Sequence, residues 1–289
     1  MAVEPFPSLA ELLRRHGLHL KKGLGQHFLA DPAHLERIAA AAELTPDDVV
    51  LEVGPGVGTL TARLAARAGR VVAVELDASL LPALREALAP YPNVTVVRGD
   101  ILALDPAALV RAAVGGEETP RYKVVANLPY YITSAAIRHL LAAQPRAALL
   151  VLTVQREVAQ RIVARPPEMS LLAVSVQLYA QPEIVARIPA GAFVPPPQVD
   201  SAILRLRPWT RPPVDVPDEA AFFAVARAGF GQRRKQLRNS LRAGLGLSAA
   251  QVERLLAAAG IAGDRRAETL TLEEWARLAQ AYAERPAAH

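Results

Sequence analysis

Five short apolar runs, separated by stretches of helical spacing, constrain this chain more than any other feature. The runs are Val49–Val53, Val71–Glu75, Val94–Arg98, Lys123–Asn127 and Ala148–Val154. Between them, Leu60–Ala68, Leu80–Leu88, Pro106–Val114 and Ser134–Ala142 carry apolar residues at the helical period. Strand and helix patterns alternating in this way predict parallel strands with crossover helices, an α/β architecture. Two more strand-like runs, Glu183–Ile188 and Ala202–Leu206, flank a loop containing Pro195-Pro196-Pro197. They bring the sheet to seven strands and end it in a hairpin-like pair. Ser170–Ala180 fits a helix or a strand equally well.

After Arg207 the pattern changes. Pro208, Pro212, Pro213 and Pro217 read as a linker. Beyond it lie helical patterns at Glu219–Arg242, Ser248–Ala259 and Leu272–Ala283, with Asp218 and Ser248 as N-caps and Gly260 as a terminator. The expected layout is an α/β catalytic domain over 1–207 whose first 30 residues form an N-terminal arm, a linker over 208–217, and a small all-helical domain over 218–289. Of the 289 residues, 52% are hydrophobic and 21% charged, so a sizeable core can form. There is no cysteine, which excludes disulfides and thiolate metal sites. No apolar run approaches a membrane span and no leader pattern is visible, so the expectation is a soluble, cytoplasmic protein with no membrane partner. The net charge of +5 permits a nucleic-acid partner.

The first strand runs into Glu52-Val53-Gly54-Pro55-Gly56-Val57-Gly58. Glycines there let a ligand lie against backbone N–H groups. A dinucleotide fingerprint would need glycine at 59, where Thr59 stands, so the turn suits a smaller nucleoside. Glu75 ends the second strand, where a carboxylate can take both ribose hydroxyls, and Asp100 follows the third, where it can accept from an adenine amino group. Gly54, Gly56, Glu75 and Asp100 on one sheet edge point to S-adenosylmethionine, with S-adenosylhomocysteine as product and no metal.

The fourth strand ends in Asn127-Leu128-Pro129-Tyr130. Alone, these residues would be a Pro turn. On the edge that also holds a methyl donor, they supply what an exocyclic amine requires. Its two N–H donors can be accepted by a side-chain amide oxygen and a backbone carbonyl, and Tyr130 can stack on the ring. The combination predicts an amine methylation site.

These residues, in this order, resemble the ribosomal RNA adenine N6,N6-dimethyltransferases, in particular the small-subunit (16S) RsmA/KsgA type. Further matching blocks are Lys21–Leu29, Val74–Asp77, Gln155–Ala159, Phe193–Ser201 and Gln232–Leu241, so nearly the whole chain is covered. The resemblance implies a Rossmann-like, seven-stranded methyltransferase sheet, mostly parallel with an antiparallel last strand, and a helical C-terminal domain. It implies that His27, Leu29, Gly54, Glu75, Asp100 and Asn127 line the donor site. It also implies that Asn127, Leu128, Pro129 and Tyr130 hold the target base while Phe193 stacks on its other side. Two features depart from the family pattern: His27 stands where Asn is also common, and Arg165–Leu171 lacks the usual longer loop with a Tyr-Gly pair.

The basic residues between 220 and 252 are Arg227, Arg233, Arg234, Lys235, Arg238 and Arg242, with no acidic residue among them. Arg227, Arg234, Arg238 and Arg242 can share the face of one helix, a candidate RNA-binding surface. Arg14, Arg15, Lys21 and Lys22 form a possible second patch. The function implied is S-adenosylmethionine-dependent dimethylation of two adjacent adenosines near the 3′ end of 16S rRNA. The implied partner is the 30S particle, late in ribosome biogenesis, and the enzyme is expected to be a monomer. The alternatives are a 23S rRNA adenine methyltransferase of the macrolide-resistance type, or a non-catalytic rRNA-binding assembly or transcription factor on the same fold.

Overall fold

The computed structural model describes residues 7–18, 25–216, 218–232 and 234–285. Its strands are β1 Phe28–Leu29, β2 Val49–Val53, β3 Arg70–Glu75, β4 Val94–Arg98, β5 Tyr122–Asn127, β6 Leu149–Gln155, β7 Ala180–Ile188, β8 Phe193–Val194 and β9 Ser201–Pro208. Seven of them form one sheet in the order β4-β3-β2-β5-β6-β9-β7. The pairs β2–β3, β2–β5, β3–β4 and β5–β6 are parallel, and β6–β9 is antiparallel. Strands β2 and β5 read as near-continuous apolar runs because both faces of the sheet are covered there. Each buried Val or Leu contributes roughly 1.5–3 kcal/mol. Strand order reverses at β2, which has β3 on one side and β5 on the other. Such a switch point opens a crevice at the carboxyl ends of the strands.

The ambiguous segment is a helix, Leu171–Tyr179, whose N-terminus is capped by the Ser170 hydroxyl accepting from Ala173 N–H at 3.1 Å. The N-terminal part also holds a two-stranded ribbon that periodicity cannot reveal, because each strand has two residues. It pairs Phe28 with Val194 and Leu29 with Phe193, antiparallel. Helix Pro32–Ala41 follows, started by Asp31.

The chain divides into two compact units. One holds the described residues up to Ala159 with Pro182–Pro208, and the other holds Gln160–Gln181 with the described residues from Trp209 onward. This corrects the expected single boundary at 207. Residues 160–181 join the helical unit because Met169, Ala173, Val174 and Leu178 share its core with Phe222, Leu241, Leu256 and Trp275. The Pro-rich 208–217 segment is likewise not a free linker. Val214 is buried in that core, and Trp209 donates from its backbone N–H to Tyr179 O and from Nε1 to Gln177 O, both at 2.9 Å.

The expected helix Glu219–Arg242 is two helices, Glu219–Phe230 and Leu237–Leu245. Ala228-Gly229-Phe230-Gly231 weakens helix propensity where the break occurs. Gly229 is there for packing: a Cβ on it would lie 2.4 Å from Cη2 of the fully buried Trp275. Gly229→Ala is therefore expected to cost about 1–3 kcal/mol through overpacking and to lower the thermal midpoint measurably by calorimetry. Ser248 caps Ala249–Ala259 in a capping box, Gly260 ends it in the left-handed region, and Leu272–Ala283 completes the unit. Among the described residues, no helix is long and apolar enough to cross a membrane.

Candidate active site

The crevice lies at the switch point. Its floor is the Gly turn after β2. Gly54, Gly56 and Gly58 all have positive φ, at 71°, 62° and 92°. At Gly56 a side chain is also excluded by contact, because a Cβ would fall 2.6 Å from the Phe28 ring. The turn is bound to β3 by Gly54 N–H donating to Val74 O at 3.0 Å. Glu75, at the end of β3, accepts from Gly56 N–H at 3.1 Å and from Asp77 N–H at 2.8 Å. Burial raises the Glu75 pKa, against the pull of those two N–H groups. The next strand end is tied alongside, since Gly99 N–H donates to Glu75 O at 3.0 Å.

Glu52 is a second buried acid of the crevice. It is 1% exposed and its Oε2 has no hydrogen-bond partner among the described residues. Burial pushes its pKa up to about 8. Between the ordinary 4.5 and about 8 the unfolded chain ionises this group while the folded chain keeps it protonated. Its contribution to stability therefore falls as pH rises through that window. Glu52→Gln is expected to flatten the loss of urea resistance between those pH values.

The opposite wall comes from the end of β5. The Asn127 Nδ2 donates to His27 O at 3.1 Å. A carbonyl can only accept, so this bond fixes the amide with its Oδ1 as the remaining acceptor. Leu128 is buried and donates its N–H to Thr153 O at 3.2 Å. Pro129 O is already engaged, accepting from Ile132 N–H at 3.2 Å and the Thr133 hydroxyl at 3.4 Å. Tyr130 is held on two sides. Its ring stacks on the His27 ring at 5.7 Å and 23°, and its hydroxyl meets Ser201 Oγ at 2.7 Å. Burial, helped by the Asp200 charge, raises its pKa, so it remains a phenol at neutral pH. The His27 Nδ1 lies 2.8 Å from Pro195 O and so carries the proton. Phe193 is buried next to Leu29 through the short ribbon.

The structure thus brings His27, Leu29, Gly54, Gly56, Glu75, Asn127, Leu128, Pro129, Tyr130 and Phe193 onto one crevice. Asp100 is not on its lining. It is exposed at the end of β4, with its carboxylate accepting from Leu102 N–H at 2.9 Å. Sequence reasoning missed Glu52, Asp77 and Ser201. Asp77 is buried and accepts from Gln26 Nε2 at 2.9 Å and from Ser79, so it ties the segment before His27 to the edge of β3. An Asp two residues before a Ser was the available signal for that turn.

The chain matches the family model for ribosomal RNA adenine dimethylase over residues 17–284. It belongs to the ribosomal RNA adenine dimethylase family. Within that family it is 49% identical, over 96% of its length and 93% of the relative's, to ribosomal RNA small subunit methyltransferase A of Dehalococcoides mccartyi. It is 48% identical to the protein of that name from Moorella thermoacetica, over 93% and 94% of the two chains. Among solved structures, the 23S rRNA methyltransferase ErmE superposes with a TM-score of 0.67 and 32% identity over 89% of this chain and 100% of that one. A dimethyladenosine transferase from Plasmodium falciparum, 24% identical over 87% of this chain and 96% of that one, shares the fold with a TM-score of 0.69. The family and fold are those of S-adenosylmethionine-dependent methyltransferases, and the chain is an enzyme of this family.

The helical unit places the basic residues differently from a single helical face. Arg227 is exposed on Glu219–Phe230, Arg234 and Lys235 lie in the turn that follows, and Arg238 and Arg242 are on Leu237–Leu245. Arg238 is half-buried, 3.8 Å from Glu253. Arg233 lies outside the described residues, as do Lys21 and Lys22. Arg15 is paired with Glu11 and Glu86.

Proposed function

We propose that this enzyme transfers methyl groups from S-adenosylmethionine to N6 of two adjacent adenosines near the 3′ end of 16S rRNA, within the 30S particle and late in its assembly. The observation that carries the reading is the Asn127 amide, fixed by the His27 carbonyl so that Oδ1 is left to accept. The small-subunit relatives at 48–49% identity favour 16S over the 23S target named for the ErmE structure.

The donor, when bound, supplies a sulfonium methyl. The crevice residues suit it: Glu75 is a buried acceptor whose oxygens, each already holding one N–H, retain lone pairs for ribose hydroxyls, and glycines keep the floor free of side chains. On the unmethylated base, Asn127 Oδ1 and the Leu128 carbonyl accept the two N6–H bonds; after the first transfer one N6–H remains for one of them. Leu128 rather than Pro129 takes this role because the Pro129 carbonyl serves the following turn. Accepting both protons favours a more tetrahedral nitrogen and aims its lone pair at the donor. The nitrogen needs aiming and not deprotonation, and such orientation can contribute ~7–11 kcal/mol in favourable systems. Positive charge developing on N6 is met by the same acceptors, and the surplus N6 proton then passes to water. Tyr130 and Phe193 stack on the extruded base.

The helical unit's exposed Arg227, Arg234, Lys235 and Arg242, with Arg238 and Arg233, are the proposed phosphate contacts. Replacing Arg227 or Arg242 with Ala is expected to weaken binding to 30S particles and lower the salt slope of log K by about 1 each, measured by filter binding. Labelled donor with undermethylated 30S or 50S particles, followed by mass-spectrometric mapping, tests the whole reading. Paired dimethyladenosines in 16S rRNA support it. A 23S product would move the target to the large subunit, and no product from an intact donor site would leave a non-catalytic RNA binder.

A further inference from the structure

Tyr131 is the most exposed of the large apolar residues described, at 60%, yet it lines the mouth of the crevice. It follows the residue placed on the target base. Tyr130 turns inward to Ser201, whereas the Tyr131 ring lies against Gly25, where even a Cβ would come within 3.3 Å of its Cδ1. Gly25 has a positive φ of 58°, so a side chain there would be strained as well as crowded. The backbone of Tyr131 is fixed in the turn Tyr130–Ile132, closed by Ile132 N–H donating to Pro129 O at 3.2 Å. An aromatic ring with a fixed backbone, supported on one flank and open over most of its surface, sits beside a pocket for one flipped base.

Flipping a base removes its stacking on the neighbouring nucleotide, and that neighbour needs a new apolar surface. Resting on the proposed function, we infer that Tyr131 is the stacking platform for the nucleobase directly flanking the target adenosine. For a substrate with two adjacent target adenosines, that neighbour is a purine during at least one round, the class with the largest π face. Stacking is indifferent to base identity, so Tyr131 adds affinity and alignment while Asn127 and Leu128 read the amine. No charge is involved, which separates this contact from the arginines of the helical unit.

The test uses the full-length enzyme and undermethylated 30S particles. Tyr131→Ala is expected to raise KM for the particle roughly tenfold or more, with Kd for S-adenosylmethionine and the salt slope unchanged. Tyr131→Phe, which keeps the ring, is expected to restore KM to within about twofold. In Tyr131→Trp, the indole emission should be quenched when particles are added with S-adenosylhomocysteine present. An unchanged KM in Tyr131→Ala overturns the inference. So does a matching loss of donor affinity, because the ring would then merely be supporting Gly25 and the donor wall. A wild-type enzyme that dimethylates 16S rRNA beside an indifferent Tyr131→Ala variant would sink this inference alone. A wild-type enzyme with no 16S product would sink the proposed function itself.

Discussion

Asn127→Ala is expected to reduce kcat by about 10²–10³-fold or more while Kd for S-adenosylmethionine stays within a few-fold of wild type, measured by single-turnover methyl transfer and calorimetric titration. The size follows from losing an acceptor aimed where charge develops. Asn127→Asp gives the sharper result. It keeps an acceptor and nearly the same shape, but puts a carboxylate oxygen against the His27 carbonyl that now takes the Nδ2 bond at 3.1 Å. Two acceptors repel, so the side chain should turn and kcat should fall about as far as in Asn127→Ala. An active Asn127→Asp enzyme would show that the anchoring bond is irrelevant to turnover.

Glu75→Ala is expected to weaken donor binding ~100-fold or more while the target-base wall remains intact. Two effects combine. The carboxylate that accepts ribose hydroxyls is gone, and Gly56 N–H and Asp77 N–H lose the acceptor that holds the turn and the β3 edge together. Hydrogen bonds to a charged group contribute about 1.5–3 kcal/mol each, and 1.4 kcal/mol is a factor of ten in affinity. Glu75→Gln should be intermediate, because its NH₂ would oppose one of the two N–H donors. Protonation weakens the same acceptor. With the Glu75 pKa raised by burial, donor affinity should begin to fall on acidification at a pH above the range of an ordinary glutamate at 4.5.

The sheet was legible because its central strands are buried on both faces, and apolar runs with crossover helices between them have few other ways to fold. Val49–Val53, Val94–Arg98 and Pro106–Val114 match the structure residue for residue. Periodicity could not show the ribbon of Phe28–Leu29 with Phe193–Val194, since a two-residue strand has no period; the family resemblance alone linked His27 and Phe193 to the site. Nor could it show that residues 160–181 pack with the C-terminal helices, because a helical stripe does not reveal which core it faces. The break between Phe230 and Leu237 was signalled by Gly229 and Gly231, and the even spacing of arginines concealed it. At the site, strand ends located Glu75 and Asn127. The roles of Ser201 and Asp77 depend on side chains meeting across 71 and 51 residues of sequence, which no local pattern records.

The central claim is that the Asn127 amide, oriented by the His27 carbonyl, accepts from the target amine. A crystal structure of the enzyme with S-adenosylhomocysteine and adenosine tests it most directly. The account predicts N6 at about 2.7–3.2 Å from both Asn127 Oδ1 and the Leu128 carbonyl, with Nδ2 still on His27 O. An adenine whose N6 approaches Nδ2, or which binds away from Tyr130 and Phe193, would contradict it.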